Sequence, residues 1–258
     1  MQREMLSVVV PVFGNRDTLV ELSERIRRIV DRCGLALELI FVDDCSPDDS
    51  WEVLRTIVDG SDGRAVALRS PHNVGQHTAA LIGLAHARGD WCAVLDADLQ
   101  DAPELLADLV AASAGHDLVF AGLRAGYQGL TRSMTSHAYR LVRSALVALP
   151  RNAGGFFIVR RPCVARMLAL RVATIHLLTM LTLVGARMRV VPAVRTRRAS
   201  GRSEYSLAAR VKLAARMLRC VSEHRLRRLA VPVGTAIKSL SGRATLYDND
   251  GGAEGRPG

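Results

Sequence analysis

Aromatic residues make up only 4% of this 258-residue sequence. That leaves few platforms on which unpaired bases could stack, and it argues against a nucleic-acid-binding module. Lysine is almost absent, with only Lys212 and Lys238, so arginine supplies nearly all of the positive charge. Lysine and arginine together number 35 against 25 acids, a net charge of +10. That balance favours anionic partners, such as nucleotide phosphates or anionic lipid. The five cysteines, Cys33, Cys45, Cys92, Cys163 and Cys220, are odd in number and form no CxxC pair. A disulfide framework and a zinc site are both disfavoured. No apolar run reaches the roughly 20 residues of a membrane-spanning helix. The longest candidate, 172–186, is shorter and contains His176 and several threonines, so it reads as a buried or interfacial helix. Neither GxGxxG nor GxxxxGK[ST] occurs, which sets aside a dinucleotide fingerprint and a P-loop. No internal repeat occurs. Residues 1–4 run straight into a strand without a leader pattern, so a reducing cytoplasm is expected.

What is present is a repeated strand, polar loop and helix. LSVVVPV (6–12), LALELIFV (35–42), 65–68 and 91–95 read as buried strands. Helices are expected from Asp17-Thr18 to about Arg32, over 51–58, and from about His77 to Ala87. The alternation predicts βαβ units in an α/β, mostly parallel sheet. Ligands in such sheets sit beyond the C-terminal strand ends. Three of these ends are polar: PVFGN, VDDCSPDDS and LDADLQD. In the last, Asp96 and Asp98 are two residues apart, so an extended chain would put both carboxylates on one face, with Gln100 next in line. Two carboxylates and an amide oxygen make a hard-oxygen set suited to Mg²⁺ or Mn²⁺. Further on, 117–123 and 188–194 read as strands, the latter an edge strand because of Pro192. Helices are expected over 131–149 and 207–229. Gly154-Gly155 reads as a hinge before a short apolar piece, and the tail from Gly242 reads as disordered.

VVVPVFGN, LIFVDDCSPDDS, HNVGQHTAALIGLAHARGDW, VLDADLQDAPE and RRASGRSEYSL, in this order, resemble the family 2 glycosyltransferases. The group most similar is the dolichyl- and polyprenyl-phosphate mannosyl- and glucosyltransferases. The resemblance runs from about Leu6 to Leu229. It implies a hexosyltransferase with a GT-A fold, a Rossmann-like sheet flanked by helices with C-terminal amphipathic helices. The domain would span 1–229, followed by a basic, then disordered tail, 230–258.

The resemblance also implies roles. Asp96 and Asp98 would be catalytic and, with Gln100, would hold Mg²⁺ or Mn²⁺ on the donor diphosphate. Pro11, Phe13, Asn15, Asp43, Asp44, Gln76 and Ala97 would bind the nucleotide of a GDP- or UDP-linked sugar. Arg124, Arg132, Ser136, Arg198, Ser203 and Tyr205 would face the acceptor or the phosphates. The acceptor implied is polyprenyl phosphate. The enzyme would sit peripherally at the inner face of the cell membrane, directly or through a membrane-protein partner, and a homodimer is compatible with it. Three places depart from the family pattern: Gly14-Asn15 stands where Asn-Glu is usual after the first strand, Gly155 where an acid is usual near the acceptor side, and Glu204 where a lysine often lies in the loop over the donor diphosphate. A soluble hydroxyl acceptor, with Asp101 as the nearest candidate base, therefore stays open.

Overall fold

The computed structural model describes residues 4–123, 149–150, 152–193, 207–226 and 232–248. Strands β1 (Met5–Val12), β2 (Ala36–Asp43), β3 (Ala65–Arg69) and β4 (Trp91–Val94) run parallel in the order β3-β2-β1-β4. Helices α1 (Arg16–Arg32), α2 (Ser50–Asp59) and α3 (Gln76–His86) are the crossovers. Both faces of these strands are covered. Leu6, Val8, Val10 and Val12 pack with Leu19, Leu22 and Ile26 of α1 on one side. Val9, Ile40 and Val42 pack with Ala79, Leu81 and Ile82 of α3 on the other. Two-sided burial is why the strands read as unbroken apolar runs rather than as alternations. Each such side chain contributes roughly 1.5–3 kcal/mol by leaving water.

Glu38 interrupts the apolar run of β2, and the structure shows why it is tolerated. It accepts hydrogen bonds from the Ser7 hydroxyl, from Arg88 N at 2.8 Å and from Arg88 Nε at 2.6 Å. A buried carboxylate paired in this way avoids most of the cost of desolvation.

The second half continues with α4 (Leu105–Ala111), β5 (Leu118–Leu123), β6 (Ala153–Arg160), α5 (Arg161–Leu168), α6 (Leu177–Leu183), β7 (Met188–Ala193), α7 (Leu207–Leu226), α8 (Val233–Ser241) and β8 (Thr245–Tyr247). The eight strands among the described residues form one sheet, β7-β5-β6-β4-β1-β2-β3-β8. β6 is antiparallel to β4 and β5, and β8 is antiparallel to β3. β7 lies at the edge, as Pro192 predicts.

Four segments differ from the sequence expectation. Gly154 and Gly155 lie inside β6 rather than at a hinge, at an irregularity in its register with β5 between the Phe157–Phe120 and Ala153–Gly122 pairs. Part of the tail is ordered: α8 packs on α3, and β8 covers the β3 edge. Tyr247 Oη donates to Asp59 Oδ1 at 2.7 Å, and the Arg55 guanidinium lies 4.9 Å from the Tyr247 ring centre. Of the stretch 172–186, only Leu177–Leu183 is helical, capped by His176. Helix α1 begins at Arg16, with Asn15 as its cap residue, so Asp17-Thr18 falls inside the first turn. The helix expected over 131–149 lies outside the described residues, apart from buried Leu149. Among the described residues, no helix is long and apolar enough to cross a membrane.

Candidate active site

The strand order changes direction between β1 and β4, and ligand crevices form at such points. Here a cleft of 280 Å³ opens beyond the C-terminal ends of β1, β2 and β4. Pro11, Val12, Phe13 and Asn15 line it from β1, and Asp44 from β2. Asn73, Gly75 and Gln76 line it at the entry to α3, and Asp96, Ala97 and Asp98 just after β4.

The β1 loop is fixed from below by the loop after β2. Gly14 N donates to Ser46 Oγ at 3.1 Å, and Asn15 N to Ser50 Oγ at 3.1 Å. Arg16 N donates to Asp48 Oδ2 at 3.3 Å. Burial opposes ionisation of Asp48, but hydrogen bonds from Ser50 and Arg16 outweigh it and hold the carboxyl below its ordinary range. Phe13, half exposed at the cleft edge, is left as an apolar surface facing any ligand.

Asp43 and Asp44 part company. Asp43 is fully buried, accepts Ser46 N at 3.0 Å and has Arg69 Nε 3.1 Å away as its ion-pair partner. It supports the loop and does not line the cleft. Asp44 does line it, and also accepts Val74 N at 2.6 Å and Gly75 N at 2.8 Å. Burial raises the Asp44 pKa; the two N–H groups act against that rise. Gly75 has φ +87°, a conformation that favours glycine and turns its N–H toward Asp44.

The acidic turn is built from its own side chains and its neighbours. Gln76 Nε2 donates to Asp96 Oδ1 at 2.5 Å. Asp98 Oδ1 accepts Gln100 N at 3.1 Å, and Asp98 Oδ2 accepts the Gln100 side-chain amide at 2.7 Å. Gln100 therefore presents N–H, not oxygen, to Asp98, as a carboxylate neighbour requires. Among the described residues, no group of three His, Cys, Asp or Glu side chains forms a closed metal cage. The two carboxylates at the cleft still fit a hard divalent cation that takes its remaining oxygens from a ligand.

Arg124, Arg132, Ser136, Arg198, Ser203 and Tyr205 lie outside the described residues. Asp101 is buried rather than open to the cleft. The sequence reading did not include Val12, Asn73 or Gly75 among the cleft residues; the Asn-x-Gly pattern before α3 is the signal that could have found the last two. The rings of His77 and His176 lie 4.9 Å apart, tilted by 48°. Burial, with Arg216 nearby, lowers the His77 pKa to about 4, so His77 is a neutral packing partner at ordinary pH. His176 Nδ1 accepts Thr179 N at 3.3 Å as the cap of α6.

Acids and a cleft at the switch point of the parallel strands mark the ligand site of an α/β protein. The profile of glycosyl transferase family 2 matches residues 7–171, and the chain belongs to that family. It is a sugar transferase with the GT-A fold. It is similar to the undecaprenyl-phosphate 4-deoxy-4-formamido-L-arabinose transferase of Edwardsiella ictaluri (strain 93-146), 42% identical over 117 residues, which cover 45% of this chain and 36% of that protein. The protein of the same name from Sodalis glossinidius (strain morsitans) is 29% identical over 245 residues, 93% of this chain and 74% of the relative. Among solved structures, Mycobacterium tuberculosis glucosyl-3-phosphoglycerate synthase with Mn²⁺, UDP and glucosyl-3-phosphoglycerate matches with TM-score 0.60 and 22% identity, over 84% of this chain and 80% of that one. Mannosyl-3-phosphoglycerate synthase from Rubrobacter xylanophilus matches with TM-score 0.56 and 19% identity, over 87% and 74%.

Proposed function

We propose that the chain transfers a sugar from a nucleoside-diphosphate sugar to polyprenyl phosphate, with inversion at the anomeric carbon. The observation that carries this reading is the convergence of Asp96 and Asp98 with Phe13, Asn15, Asp44 and Gln76 on one cleft. The relatives named as undecaprenyl-phosphate sugar transferases support the acceptor.

In this reading the nucleoside rests against Pro11, Phe13 and Asn15, with Asp44 and Gln76 at its border. Ala97, small and buried, lets the donor approach the backbone between the two acids. Asp96 and Asp98 would hold Mg²⁺ or Mn²⁺, and such an ion supplies charge neutralisation on the departing diphosphate. Gln100 orients Asp98 from behind. A phosphate monoester acceptor is already ionised near neutral pH, so the transfer needs no strong general base. That suits a site where Gly155 replaces an acid and Asp101 is buried. Arg124, Arg132 and Ser136 would face the acceptor phosphate, and Arg198, Ser203 and Tyr205 the donor diphosphate. Helix α7 exposes Arg216, Leu218 and Arg219, and cationic side chains of this kind suit an anionic membrane surface.

Calorimetric titration with GDP and UDP, each with and without Mn²⁺, tests the donor site, with Asp98→Ala alongside. One nucleotide is expected to bind only with Mn²⁺ and only with Asp98 intact. Binding of neither nucleotide to the folded protein would overturn the reading. Transfer to polyprenyl phosphate, set against a soluble alcohol acceptor, then tests the second half.

A further inference from the structure

We propose that Thr18 is a positioning residue for the acidic turn: its hydroxyl holds the Ala97 carbonyl and thereby sets how Asp98 faces the cleft. This rests on the metal-site reading above. Thr18 does not line the cleft. It sits in the first turn of α1, where a threonine hydroxyl ordinarily bonds within its own helix. Its Oγ1 does lie 3.0 Å from Asn15 O, but it lies 2.6 Å from Ala97 O, 79 residues away. A hydroxyl has one proton to donate, and the shorter contact assigns it to Ala97.

The Ala97 carbonyl belongs to the peptide that joins Ala97 to Asp98. Fixing its oxygen fixes that peptide plane, and so the position of Asp98 N and Cα, from which the Asp98 side chain leaves the backbone. The turn needs such a hold. Leu99, the next residue, has φ +55°, a left-handed conformation that costs a side-chain-bearing residue roughly 1–2 kcal/mol. The far end of the same segment is tied to the same helix. Arg25 Nε and Nη2 meet Glu104 Oε1 and Oε2 at 2.9 and 2.6 Å, a two-point pairing. Thr18 and Arg25 are seven residues apart, so they share one face of α1. Helix α1 therefore spans the acidic segment from Ala97 to Glu104 and clamps both ends.

The test compares Thr18→Val, Thr18→Ala and Thr18→Ser in the full chain, reading Mn²⁺-dependent nucleotide affinity by calorimetry and folding by thermal denaturation. Loss of one hydrogen bond predicts about fivefold weaker Mn²⁺-dependent binding in Thr18→Val and Thr18→Ala. Thr18→Ser, which keeps the hydroxyl, is expected to bind like the wild type. Wild-type affinity in the Val and Ala variants would overturn the proposal. So would a Ser variant as weak as they are, since that would assign the effect to the methyl group. Wild-type binding that ignores Mn²⁺ would overturn the metal-site reading itself, and it shows before any variant is compared.

Discussion

Asp44 Oδ2 accepts the backbone N–H of Gly75 at 2.8 Å, so a carboxylate at the end of β2 sets the shape of the loop that enters α3. The other oxygen takes Val74 N at 2.6 Å. Asp44→Asn keeps one acceptor and turns an amide N–H toward the second donor. It also removes a buried charge whose ionisation burial disfavours, which works in the opposite direction. The lost charge-assisted bond and the facing donors outweigh that relief, and a net loss of about 2 kcal/mol is expected. Urea denaturation reads the stability. Nucleotide affinity should fall with it, because Asn73, Gly75 and Gln76 lie along that loop.

Gly83 sits in α3 against β1. A β-carbon there would clash with Val9 Cγ1 and come within 3.1 Å of Val42 Cγ2. Gly83→Ala gains roughly 1 kcal/mol in helix propensity. Overpacking a closed interface costs about 1–3 kcal/mol and is expected to win. The variant should be less stable by thermal denaturation, and a second change, Val9→Ala, should recover part of the loss by making room. A Gly83→Ala protein as stable as the wild type would show that α3 can shift outward freely.

Asp117 ties the start of β5 to β7. Arg187 donates to it through N, Nε and Nη2 at 3.0, 3.0 and 3.1 Å, and these bonds hold its pKa at about 2, below the ordinary 3.8. A depressed folded-state pKa means stability that is full above the unfolded value and is lost as pH falls through the folded one. Arg187 is largely exposed, so solvent screening keeps the contribution small. Compared by denaturation, Asp117→Asn should be weaker than the wild type near neutral pH. The gap should close as pH falls from about 4 toward about 2. A gap that stays constant would show that the interaction is not one of charge.

The strands and helices of the first half were legible because both faces of the sheet are buried. Val8 to Val10 had no solvent face to obscure the pattern, and Leu19, Leu22 and Ile26 recur at helical spacing. The cleft acids at Asp96 and Asp98 were legible as the abrupt end of an apolar run. Gly154 and Gly155 misled because glycine weighs against a strand when read alone, whereas here the pair sits at an irregularity inside β6, flanked by Ala153 and Phe157, which both pair with β5. Thr245 to Tyr247 were too short for any period to show, and their order comes from β3. Asp43 and Asp44 are chemically identical neighbours, and only the turn that follows decides which one faces the cleft. Thr18 read only as part of a helix start because its partner at Ala97 lies far away in sequence.

The pairing of β8 with β3 has a consequence for the order in which the protein is made. Tyr247 and its partner Asp59 are 188 residues apart, and the edge of β3 has no antiparallel neighbour until Thr245–Tyr247 leave the ribosome. Translation at about 5–20 residues per second leaves that edge exposed for roughly ten seconds or more. During that interval a nascent chain offers an open row of backbone donors and acceptors to other nascent chains. Crowding on the messenger, and not only the stability of the finished fold, then bears on how the chain reaches its folded form.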